Sequence, residues 1–331
     1  GKATILATRP LLAAGVLLLQ GVSAFSAPPH RQRSPPPLAG VCRRSHPGPH
    51  HGARRQRAAS VLSGLRLGGG MGEEKESWDR EIQSGALFKY GPEGSHVAFS
   101  SGPSSADRVV IVVGGLTDGM LATPYVEGLS RVLQEQGGGR WGMIQPLLSS
   151  SHMGYGTSSL SKDAKELDML MAHVASKRGS GTRFVICGHS TGCQDAVWVC
   201  KKGKEAGRVC GVILQAPVSD REYAATKPET AEMLAKAQSL VDAGSKKALM
   251  PPDADLAPIT AYRYLSLNGR LGDDDMFSSD LTDEQLRERL GCVGVPCLVA
   301  LSMEDEYVPE GVDKRLLGGR MASAMGGEVT V

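Results

Sequence analysis

The sequence predicts an α/β fold: a mostly parallel sheet flanked by helices, with a helical lid inserted late in the chain. Three observations carry this reading. Val109–Val113 is an unbroken apolar, β-branched run that ends at Gly114-Gly115, as suits a strand buried on both faces. Phe184–Cys187 leads through Gly188-His189-Ser190-Thr191-Gly192 into a helical stretch, so a G-x-S-x-G lies between a strand and a helix. More than eighty residues separate the strand at 209–214 from the strand at 298–301, far more than one crossover needs.

The elements follow in order. Residues 124–136 place Val126, Leu129 and Leu133 on one helical face, with Pro124 in the first turn. Trp141–Gln145 is a second short apolar strand. Leu160, Ala164, Leu167, Met171 and Val174 form a helical stripe over 160–177. Residues 191–202 continue as a helix to Gly203, Val209–Leu214 is a strand and Leu298–Leu301 another. Residues 315–325 read as a helix and 328–331 as a last strand. Strands alternating with long helices imply right-handed crossovers and helices on both faces. The stretch 218–290 is read as the lid; its part from Asp220 to Leu290 is acidic, with 14 Asp and Glu against 9 Lys and Arg.

Charge separates the first seventy residues from the rest. The 331-residue chain has 37 basic and 35 acidic side chains, but residues 1–70 hold ten of the basic and none of the acidic. That leaves 27 against 35, a net charge of −8, over 71–331. An acidic body argues against a nucleic-acid partner. Residues 11–20 (LLAAGVLLLQ) follow Lys2 and Arg9, are short for a membrane span, and suit a signal-peptide core over 1–24 with cleavage after Ala24. Residues 25–70 are rich in Pro, His, Arg and Ser, a transit-peptide composition that cannot bury a core. The junction VSAFSAPP, with Phe25 after the cleavage point, resembles the bipartite plastid-targeting signals of algae with secondary plastids. The expectation is a folded body over 71–331 in a complex plastid, with no stable membrane span once the leader is removed. A plain secretory signal, or translation from Met71 in the cytoplasm, are the alternatives.

The seven cysteines include no C-x-x-C pair, and several lie in apolar runs, so the expectation is reduced thiols and neither a zinc site nor a disulfide framework. No metal and no cofactor is implied.

The candidate chemistry centres on Ser190. A G-x-S-x-G turn between strand and helix needs small neighbours, presents the hydroxyl above the sheet, and sets it at a helix N-terminus that favours developing negative charge. Acyl transfer also needs two N–H donors for the oxyanion. Thr191, after the nucleophile, supplies one. Leu116, in the loop Gly114–Gly119, is the expected second, with Thr117 the alternative. The acid is expected after the late strand, in Met303-Glu304-Asp305-Glu306-Tyr307; Asp305 is chosen over Glu304 and Glu306. His189 lies inside the elbow and is not taken as the base. In the order serine, acid, histidine, the base comes last, yet no histidine follows Asp305. The expectation is a chain truncated before its histidine loop and nearly inactive as given, with His152 in the 149–156 loop as the competing base.

Six ordered segments resemble one family: GGLTDG (114–119), SSSHMGYGTSSLSKDAKEL (149–167), GHSTGCQDAV (188–197), LQAPVSDRE (214–222), DDMFSSDL (274–281) and EDEYVP (304–309). Together they resemble an α/β-hydrolase family of unknown function from fungi, plants and algae, related to fungal siderophore esterases that act on fusarinine-type hydroxamate esters. The resemblance spans roughly 85–331. It implies the α/β-hydrolase fold, Ser190 as nucleophile, Asp305 as acid and a small-molecule ester as substrate. The departure from the family pattern is the absent final histidine. Two functions are therefore carried forward: a serine esterase or thioesterase, and a non-catalytic small-molecule binder on the same fold.

Overall fold

The computed structural model describes residues 83–331; the signal-like and transit-like segments expected within 1–70 lie outside the described residues. Eight strands form one sheet: β1 (Ala86–Lys89), β2 (Val97–Ser101), β3 (Arg108–Val113), β4 (Trp141–Pro146), β5 (Arg183–His189), β6 (Val209–Gln215), β7 (Cys297–Ala300) and β8 (Val329–Thr330). Their order across the sheet is β1-β2-β4-β3-β5-β6-β7-β8. β1 pairs antiparallel with β2, and β2 antiparallel with β4. Every other pairing is parallel.

The central strand β3 shows why a continuous apolar run is needed. Val109, Ile111 and Val113 enter the larger core cluster, while Val110 and Val112 enter the cluster on the other face. Successive side chains leave a strand on opposite sides, so a strand covered on both faces must be apolar at every position. α1 (Tyr125–Gln136) buries Val126, Leu129 and Leu133 in the smaller cluster. α2 (Leu160–Arg178) and α3 (Gly192–Lys202) cover the larger one with Leu167, Leu170, Met171, Cys193 and Val197. α2 starts where the Ser159 side chain accepts the Lys162 N–H.

Between β6 and β7 lie α4 (Asp220–Ala224), α5 (Thr230–Asp242), α6 (Ala261–Asn268) and α7 (Asp283–Leu290), and α8 (Lys314–Ala324) precedes β8. This insert has two kinds of packing. Met233, Ala237, Met250, Ile259 and Tyr264 form an apolar cluster of their own, reached from the body by Tyr155 and Leu116. Met276, Phe277, Leu281, Leu286 and Leu290 instead join the core beneath the sheet. The antiparallel strands β1 and β2 were not expected from the sequence; both are short, and β1 is mostly exposed. The six cysteines among the described residues are all free.

Candidate active site

Because β3 to β8 run parallel, their C-terminal ends share one edge, and the loops that leave them meet there. Backbone strain marks that edge. Among the described residues, six non-glycine residues have φ in the left-handed region, and five follow these strand ends: Thr117 and Leu121 after β3, His152 after β4, Ser190 after β5 and Ala216 after β6. Such conformations persist only where the surroundings hold them, and they gather at functional sites.

Ser190 has φ 53° at the junction of β5 and α3. Its N–H donates to Gln215 O at 3.0 Å, and its carbonyl accepts the Cys193 N–H at 2.8 Å. The turn is closely packed. A Cβ on Gly192 would lie 2.3 Å from Val113 O, and one on Gly115 would lie 2.8 Å from the Ser190 Cβ. The small residues of the motif thus let the elbow seat against the end of β3.

The β3 loop is held by Asp118, whose Oδ2 accepts the Gly115 N–H at 2.8 Å while its own N–H donates to Gly115 O at 3.2 Å. Asp118 thus closes the turn with both its backbone and its side chain. It occupies the Gly115 N–H and leaves those of Leu116 and Thr117 without an acceptor among the described residues, as is the Thr191 N–H at the start of α3. Leu116 is half-buried against the insert's apolar cluster, whereas Thr117 is exposed.

Asp305 lies in the loop after β7. It is half-buried, whereas Glu304 and Glu306 on either side are exposed. Its Oδ1 accepts the Tyr307 N–H at 3.0 Å, and Lys314 Nζ donates to its backbone carbonyl at 3.0 Å. Burial raises its carboxyl above the usual range, opposed by the Tyr307 N–H and by the charges of Lys314 and His189. Asp305 is thus within electrostatic range of the residue beside Ser190. No histidine among the described residues hydrogen-bonds its carboxylate.

The histidines divide by environment. His189 Nδ1 makes a short hydrogen bond with Gln215 Oε1, and its Nε2 lies 3.9 Å from Asp118 Oδ2, so its ring is held between the ends of β6 and β3. His152 is exposed, donates its N–H to Asp118 O at 3.0 Å and lays its ring over Gly119. It borders the β3 loop, which makes it the exposed imidazole beside the site. His173 stacks on Phe88 at 5.6 Å. The sequence alone did not single out Asp118 and Gln215; the Gly-Leu-Thr-Asp-Gly turn was the available signal for Asp118, and none marked Gln215.

One group of side chains has the composition of a metal site: Glu93, His96 and Glu166. His96 Nδ1 accepts the Glu93 N–H at 3.2 Å, so in the neutral ring Nε2 carries the proton, and Nε2 lies 3.5 Å from Glu166 Oε1. Lys162 Nζ lies 3.8 Å from Glu166 and 3.9 Å from Glu93. The carboxylates are already met by the Lys162 ammonium and, at Glu166, by the Ser149 N–H and hydroxyl at 2.7 and 2.5 Å.

Residues 78–330 match a family model described as a protein of unknown function, DUF1749. A UPF0613 protein of Schizosaccharomyces pombe is 33% identical over 238 residues, covering 66% of this chain and 74% of that protein. An esterase of Emericella nidulans is 30% identical over 293 residues, covering 70% of this chain and 77% of its own length. A solved siderophore hydrolase from Aspergillus fumigatus superimposes with a TM-score of 0.60 at 26% identity, over 75% of this chain and 85% of that one.

Proposed function

The chain belongs to the DUF1749 family and has the α/β-hydrolase fold, and on that premise we propose that it is a serine hydrolase that cleaves a carboxylic ester or thioester through an acyl-Ser190 intermediate. The observation that carries the reading is Ser190 itself: a non-glycine residue in the left-handed region at a strand-to-helix turn, backed against the β3 loop. In this reading the Ser190 Oγ attacks the acyl carbon. The oxyanion is met by the N–H groups of Leu116 and Thr191, which have no acceptor among the described residues. Asp305 orients and charge-stabilises an imidazole that takes the serine proton and returns it to the leaving alcohol. The names of the relatives, an esterase and a siderophore hydrolase, support ester chemistry. Their substrates are not carried over to this chain.

Among the described residues, His152 is the exposed imidazole that borders the β3 loop, and it is the candidate base tested below. The observation that favours the second reading, a small-molecule binder without turnover, is that no described histidine reaches the Asp305 carboxylate.

Labelling with a fluorophosphonate probe and turnover of p-nitrophenyl acetate test these readings. Ser190→Ala is expected to abolish labelling and to lower turnover by on the order of 10³-fold or more. Labelling retained at another serine overturns the nucleophile assignment. Loss of turnover in His152→Ala makes His152 the base. No labelling of the unaltered protein leaves the binder as the answer.

A further inference from the structure

We propose that a small cavity behind the β3 loop is a binding site for an alkali-metal cation. The cavity lies where β3 and β4 end and is lined by Gly114, Gly115, Asp118, Ser150, Ser151 and Asp195 among others. It has room for about one water-sized occupant. Asp195, in the first turn of α3, is 6% exposed, and its Oδ1 is buried with no hydrogen-bond partner among the described residues. A buried carboxylate in that condition is costly unless a proton or a counter-ion meets it.

The one neighbouring cation is shared. Asp163, Asp195 and Asp274 are all buried, and the guanidinium whose charge acts on all three is that of buried Arg263. Arg263 is engaged by Asp274, whose Oδ2 accepts from its Nη1 at 2.6 Å. Asp163 has the Ser158 hydroxyl at 2.9 Å, a neutral partner. His96 and Lys162 face Glu166. One guanidinium is therefore shared among three buried carboxylates. Burial first, then the charge of Asp163, pushes the Asp195 carboxyl well above its usual range, so the site holds a proton that a bound cation would displace.

The lining selects the kind of cation. The lining residues with polar side chains are Asp118, Ser150, Ser151 and Asp195, all oxygen-bearing and none His or Cys, so a hard ion is indicated. A magnesium ion keeps several waters, for which the cavity has no room. A bare monovalent ion of about the size of water fits both volume and charge. Gly115 lines this cavity on one side and packs on Ser190 on the other, so an ion there would add positive potential directly behind the serine.

The test reads thermal stability, which does not depend on the esterase reading. The whole protein is melted in sodium, potassium and choline chlorides at equal ionic strength. Sodium or potassium is expected to raise the melting point saturably over choline by about 2–4 °C, and Asp195→Asn is expected to remove the difference. Equal melting points in all three salts, or a difference that survives Asp195→Asn, overturns the proposal. Should the variant fail to fold, sodium-23 line broadening by the unaltered protein decides. Broadening reversed by potassium supports the site, and its absence sinks it.

Discussion

Gly192 shows how closely the elbow is fitted. Any Cβ there collides with the carbonyl of Val113, which belongs to β3 and cannot move without breaking its pairing with β5. Gly192→Ala is expected to destabilise the protein by about 1–3 kcal/mol, the usual cost of overpacking, read from a denaturant midpoint. A second residue-scale prediction concerns pH. Burial pushes the Asp220 carboxyl up from its ordinary 3.8 to about 7, with the charge of Asp274 adding to the rise and that of Arg263 opposing it. A carboxyl with a raised pKa binds its proton more tightly when folded, so its contribution to stability is full below about 4 and is lost as pH rises toward about 7. Asp220→Asn is therefore expected to melt above the unaltered protein at pH 8 and close to it at pH 4. Parallel melting curves across that range would show that Asp220 carries no such cost.

The insert is held to the body by a few named contacts. The Tyr155 hydroxyl hydrogen-bonds Asp255, Gly156 O accepts the Thr260 N–H at 2.9 Å, and Arg263 Nε donates to Tyr155 O at 3.2 Å. Tyr155 also enters the apolar cluster of α5 and α6, so one side chain from the loop after β4 anchors the segment by both packing and polarity. Tyr155→Phe keeps the packing and removes the bond to the carboxylate, at a cost of about 1.5–3 kcal/mol. The expected result is faster amide exchange over 245–260, with protection in β3 and β5 unchanged. Uniform loss of protection would mean that the insert and sheet unfold as one unit. Leu116 carries the same coupling into the β3 loop, because the residue whose N–H is proposed to meet the oxyanion packs its side chain on the insert.

For the molecule as a whole, we propose that residues 1–70 are an address and that the body folds without them. They hold no acidic residue and no periodic apolar face beyond 11–20, and the family match begins only at residue 78. A polypeptide starting at Met71 is expected to melt with the longer chain, and a loss of several degrees would show that the leader packs on the body. Fused to a fluorescent protein, the leader is expected to enter a complex plastid and Phe25→Ala to divert it. A diffuse cytosolic signal from the intact leader would refute the plastid reading.

What the sequence by itself determined is whatever one stretch of chain encodes locally. The VVIVV run required a strand buried on both faces, the stripe from Leu160 to Val174 required a helix, and the glycines around Ser190 required a tight turn. Each is a periodicity or a steric rule that needs no distant partner. Tertiary structure alone decided what depends on neighbours far along the chain. It brought Gln215 to His189, divided the insert between its own cluster and the sheet core, and enclosed Asp195 behind the β3 loop. Those outcomes follow from strand order and crossover packing, in which residues tens of positions apart meet at one edge of the sheet, and no local pattern of side chains specifies that meeting.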